Sequence, residues 1–128
     1  MAKKKGCILI IDDETAMLEA CGETLTYHGY DVRLWDTPEK GIAALSQEAF
    51  DLVLIDLKMP GKDGLQTLRE LKSIDQNVMA VMITAFPTIP TAVEAVKEGA
   101  FDYLSKPFTP DQLLIVVDRA LAQKRLTE

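Results

Sequence analysis

Little in this 128-residue chain can hold a metal through nitrogen or sulfur: it has one histidine, His28, and two cysteines. No zinc-ligand spacing can be built from these. Two thiols in a chain of this length are not a disulfide framework, and Cys7 and Cys21 sit in apolar stretches that read as buried, reduced thiols. Long apolar runs are also missing. The basic start Met1-Ala2-Lys3-Lys4-Lys5 is followed by only a short apolar run, which Asp12-Asp13 ends. That is too short for a signal peptide or a membrane span, so we expect a cytoplasmic protein without membrane contact. Net positive charge is absent too: 14 basic and 20 acidic side chains leave −6. An acidic domain gains nothing electrostatically from a phosphate backbone, so direct nucleic-acid binding is not expected. What remains is an ordinary globular composition, 48% apolar and 27% charged, of single-domain length.

The apolar pattern alternates between two kinds of segment. Continuous runs lie at Cys7–Ile11, Leu52–Ile55 and Val78–Ile83, with weaker ones at Val32–Trp35 and Phe101–Leu104. Unbroken runs, rather than period-two alternation, predict strands buried on both faces, as in a parallel sheet. Helical spacing fills the intervals. The first helix is predicted over Glu14–His28, with Met17, Cys21 and Leu25 inward and Gly29 as its stop. The second begins at Thr37-Pro38, a cap followed by proline. The third runs over Gly64–Ser73, with Leu65, Leu68 and Leu71 on one side. The fourth runs over Ile89–Glu98, with Val93 and Val96 inward. The fifth begins at the capping box Thr109-Pro110-Asp111-Gln112. Five strand–helix units predict a parallel sheet with helices on both faces. No linker or repeat interrupts them, so one domain is expected over 1–123, with 124–128 as a tail or the start of a linker.

Ligands of such sheets bind beyond the carboxyl ends of the strands. The strand ends carry Asp12-Asp13-Glu14, Asp56, Thr84 and Ser105-Lys106-Pro107. If strands one, three, four and five are neighbours, three carboxylates, a hydroxyl and an ammonium gather at one edge. Taken alone, Asp12 and Asp13 would also serve as caps for the first helix. Clustered carboxylates repel one another unless a cation shares them or some take up protons, and an all-oxygen ligand set suits Mg²⁺. A carboxylate can act as a nucleophile toward phosphorus, while a lysine and a hydroxyl neutralise and bond the transferred oxygens. The set reads as phosphoryl transfer onto an aspartate.

The chain resembles a bacterial two-component response-regulator receiver domain. The resemblance is carried by Ile10-Ile11-Asp12-Asp13-Glu14, Asp56-Leu57-Lys58-Met59-Pro60-Gly61-Lys62-Asp63-Gly64, Ile83-Thr84-Ala85 and Asp102-Tyr103-Leu104-Ser105-Lys106-Pro107-Phe108. It implies a flavodoxin-like doubly wound sheet of order 2-1-3-4-5 with five helices. It also implies transfer of a phosphoryl group from a sensor histidine kinase onto Asp56, with Mg²⁺. By matching positions, Asp13 would bind Mg²⁺ directly and Asp12 largely through water, and the Lys58 backbone carbonyl would complete the protein ligands. Thr84 and Lys106 would bond the phosphoryl group, and Tyr103 would be the switch aromatic. Pro107 would follow a cis peptide, and Gly64 would need a positive φ. Lys58 and Phe86 would tune the phosphoryl lifetime by screening water.

The switching surface would be the fourth helix, fifth strand and fifth helix, with Glu94, Lys97, Glu98, Asp102, Tyr103 and Arg119 as contacts and a homodimer as one outcome. The segment 84–108 is most similar to receivers of the nitrogen-regulator type, which precede an ATPase module and a DNA-binding motif. A piece of such a regulator is therefore expected, with a stand-alone receiver as the alternative. An aspartyl-phosphate phosphatase of the haloacid dehalogenase type would place its nucleophile on the first strand, with an acid two residues on. Here Asp56 is on the third strand and Lys58 stands in that place. A flavin module would want a loop rich in Ser, Thr and Gly after the first strand, where this chain has Asp12-Asp13-Glu14-Thr15. A receiver acting without phosphorylation would not need every one of these motif positions filled.

Overall fold

The structure, a computed structural model, describes residues 5–57, 63–85 and 88–127. Lys58 and Phe86 therefore lie outside the described residues. The elements follow in the order β1 Cys7–Ile11, α1 Thr15–Tyr27, β2 Asp31–Trp35, α2 Pro38–Gln47, β3 Leu52–Asp56, α3 Gly64–Ile74, β4 Met79–Thr84, α4 Ile89–Lys97, β5 Asp102–Ser105 and α5 Pro110–Thr127. The five strands form one sheet of order β2-β1-β3-β4-β5, with every pairing parallel. This is the flavodoxin-like arrangement the resemblance implied.

The unbroken apolar runs end up in the middle of the sheet because helices cover both of its faces. Ile8 to Ile11 and Leu52 to Ile55 are fully buried. Alternate side chains of these strands feed two cores. Ile8, Ile10, Leu52 and Leu54 pack with α1 and α5 residues such as Leu25 and Val117. Leu9, Ile11, Val53 and Ile55 pack with α2, α3 and α4 through Leu45, Leu68 and Ala95. β2 departs from the two-sided burial its apolar run predicts. It is an edge strand, and Leu34 and Trp35 are exposed.

Local signals set most boundaries. Thr37 caps α2 by accepting from the Lys40 N–H, with Pro38 in the first turn. Asp63 caps α3 through the Gln66 N–H. Thr109 and Gln112 satisfy each other's backbone N–H groups, the predicted capping box. Gly29 has φ +95° just past α1, a backbone shape that favours glycine. α5 continues helically through Thr127, and Lys124 is buried against the Asn77 carbonyl.

Two further expectations fail. Val93 and Val96 face solvent, at 47% and 60% exposure, and Ala95 is the buried residue of α4. The helical spacing was read correctly, but the small side chain rather than the large ones meets the sheet. Gly64 does not have a positive φ: it is the first residue of α3, and only Gly29 and Gly99 are left-handed among the described residues. Its constraint is steric. A Cβ there would lie 2.6 Å from the Leu57 Cα and 2.7 Å from the Asp56 carbonyl oxygen.

Candidate functional site

The carboxyl ends of β1, β3, β4 and β5 converge because these strands are adjacent and parallel. Asp12 follows β1, and its N–H donates to the Trp35 carbonyl at 3.1 Å, which fixes the chain as it leaves the sheet. Asp56 is the last residue of β3, level with Ile83, so Thr84 stands one residue further along the neighbouring strand. Lys106 follows β5, and its N–H donates to the Thr84 carbonyl at 2.7 Å. The peptide between Lys106 and Pro107 is cis.

Carboxylate oxygens of Asp12, Asp13 and Asp56 lie within 4.8 Å of one another. Asp12, Asp56 and Thr84 are buried, while Asp13 is exposed. Asp12 Oδ1 accepts the Glu14 N–H at 2.9 Å. Asp12 Oδ2 lies 2.9 Å from Lys106 Nζ but off hydrogen-bond geometry, so it is a buried oxygen with a charge beside it and no directed donor among the described residues. Burial pushes the Asp12 carboxyl above its ordinary range, and Lys106 offsets only part of that. Burial alone would lower Lys106, but the close contact and charge of Asp12, together with Asp56, hold it well above its usual range. The ammonium therefore stays charged at neutral pH. A hard cation fits this donor set on two counts. All the side-chain donors are oxygen, and a desolvated carboxylate oxygen lacks a donor.

The structure thus brings together Asp12, Asp13, Asp56 and Lys106, with Thr84 at the adjoining strand end. Tyr103 stands apart from them on β5, half-buried, its hydroxyl 3.0 Å from Thr91 Oγ1 on α4. Thr91 is also the second half of the α4 capping box with Thr88. Of the surface contacts expected, Asp102 pairs with Arg119 at 3.6 Å. Glu98 pairs with Arg69 of α3 at 3.0 Å. Sequence reasoning gave Glu14 no role, yet its Oε1 lies 3.3 Å from Lys106 Nζ across 92 positions of chain. Its place at the end of the first apolar run was the available signal.

Known proteins share the sequence pattern and the fold. Residues 8–118 match the family model described as response regulator receiver domain. The transcriptional regulatory protein ZraR of Salmonella typhimurium is 38% identical over 127 residues, 99% of this chain and 29% of that protein. The CheY-like response regulator receiver domain protein of Methanospirillum hungatei superposes with a TM-score of 0.93 at 29% identity, covering 99% of this chain and 100% of that one. The NtrC4 receiver domain, solved as a beryllofluoride-activated dimer, has a TM-score of 0.88 at 25% identity, covering 92% and 98%. The chain spans under a third of the length of the curated relatives it matches. Members of this family are generally signalling switches rather than turnover enzymes. With the fold, the convergent acids and the match over most of its length in agreement, this chain belongs to the response-regulator receiver domain family of two-component systems.

Proposed function

We propose that the domain takes a phosphoryl group from a sensor histidine kinase onto Asp56. The convergence of the three aspartates and Lys106 at one sheet edge is the observation that supports this reading most directly. An Asp56 carboxylate oxygen forms a bond to phosphorus while the bond from phosphorus to the donor imidazole nitrogen breaks, and that nitrogen leaves with the electron pair. Asp12, Asp13, Asp56 and the Lys58 backbone carbonyl would hold Mg²⁺, which when bound neutralises charge on the phosphoryl oxygens. Lys106 supplies a permanently charged donor to those oxygens, and Thr84 a hydroxyl. Lys58 and Phe86, two positions past Asp56 and Thr84 in the sequence, would slow the loss of the group by screening attacking water, so that the domain, which phosphorylates itself from its donor, keeps the group for longer.

The switch follows from the added charge. As Thr84 turns to the phosphoryl group, Tyr103 turns inward and gives up Thr91. The surface of α4, β5 and α5 changes and can pair two copies, in keeping with the dimer of the activated NtrC4 receiver. Residues 1–123 would be the receiver and 124–128, although α5 runs on through Thr127, a tail or the start of a linker toward an output part that regulates transcription, as in the regulators it resembles.

Incubation with a small phosphodonor and Mg²⁺ should add one phosphoryl group, measured by mass spectrometry. Asp56→Asn should abolish it, as should chelation of the metal. Label that persists on another residue of the variant would refute the assignment.

A further inference from the structure

The Lys106 ammonium has three N–H bonds. Three carboxylate oxygens lie within reach of it: Asp12 Oδ2 at 2.9 Å, Asp56 Oδ2 at 3.2 Å and Glu14 Oε1 at 3.3 Å. Two of its N–H bonds go to Asp56 and Glu14, and Asp12 Oδ2 crowds its remaining side, so an incoming anion competes with these oxygens for the ammonium. Their release costs differ. The Asp12 side chain is 0% exposed and that of Asp56 8%, so freeing either leaves a buried carboxylate without its counter-charge. The Glu14 side chain is 58% exposed and, once released, swings into water. With its acid partner this open to solvent, the pair is the one of the three that breaks at least cost.

Among the described residues the Glu14 side chain has no partner other than Lys106. It occupies the N-cap position of α1, yet its side chain makes no capping bond. Its backbone N–H, held by Asp12 Oδ1, anchors it beside the site.

We propose that Glu14 is a positioning residue that occupies on Lys106 the place a phosphoryl oxygen takes. It keeps the ammonium over Asp56 while the acceptor is empty, and it is the anion that the phosphoryl group evicts. This inference rests on the reading of Asp56 as phospho-acceptor and adds to it a competitor that sets how easily the site fills.

The test compares the whole chain with Glu14→Ala, which removes contact and charge, and Glu14→Asp, which keeps the charge but is too short to reach Lys106. Beryllium fluoride binding is titrated in saturating Mg²⁺, with thermal unfolding as a check on the fold. Both variants should bind the fluoride up to about fivefold more tightly, the order expected when a solvent-screened competitor is removed. The gain should vanish in a Lys106→Ala background. Mg²⁺ titrated alone supplies a second reading: Glu14→Ala should weaken it and Glu14→Asp should not. If Glu14→Asp behaves as wild type toward beryllium fluoride, only the local field matters and the placeholder is refuted. Unchanged binding in Glu14→Ala also overturns it. A wild-type chain that takes neither beryllium fluoride nor a phosphoryl group refutes the acceptor reading itself.

Discussion

Gly64 leaves no room for a methyl group. The atoms a Cβ would meet are backbone atoms of Asp56 and Leu57, and the Gly64 N–H donates to the Leu57 carbonyl at 2.8 Å. The first turn of α3 is thus pressed onto the strand end that carries Asp56, the proposed acceptor. Gly64→Ala must push those segments apart, at a cost of about 1–3 kcal/mol. We expect a lower midpoint of thermal unfolding together with slower phosphoryl uptake, since the displaced segment positions Asp56. An unchanged uptake rate would show that the contact supports the fold only. The glycine itself is legible in the sequence, but the reason for it is not. A glycine letter does not tell a left-handed turn from a close approach, and here the second applies. Glu14 is a parallel case, since an acid at a strand end is readable but its partner 92 positions away is not.

At the level of elements, α4 is the least self-evident. Ile89, Val93 and Val96 share one helical stripe, and a stripe of large apolar residues normally points inward. Here the sheet takes Ala95 instead, which lets the helix approach closely, and the stripe is left to solvent with Ile89 at 82% exposure. Glu98 ties the opposite flank of the helix to Arg69 of α3, so the stripe lies on the flank away from α3. Replacing Val93 and Val96 together by serine removes no buried contact. Stability should stay within about 0.5 kcal/mol, as for surface sites generally. Phosphorylation-dependent self-association, measured by sedimentation, should be lost, and a variant that still pairs would place the surface elsewhere. By contrast α2 and α5 were legible from their caps, because a Thr side chain and the N–H it bonds are three residues apart and need no tertiary context.

For the molecule as a whole, the strand–helix alternation fixed the class, since unbroken apolar runs such as Leu52–Ile55 have few places other than a covered parallel sheet. The strand order is a different matter. Periodicity does not say which strands are neighbours, and the order came through motif resemblance. The same holds for the convergence of Asp12, Asp56 and Lys106, which exists only once β1, β3, β4 and β5 lie side by side. That order has a further consequence. β5 has four residues and pairs only with β4, so among the described strands it has one free margin, whereas β1 and β3 are held on both sides. Amide deuteration followed by mass spectrometry or NMR should reveal two clocks. Ile8–Ile11 and Leu52–Ile55 should take up deuterium only when the whole molecule opens, and the β5 amides far sooner through local fraying. Equal protection would argue against this. The strand bearing Tyr103 and leading into Lys106 is thus the one the sheet can release at little cost, like the loose outer board of an otherwise nailed floor.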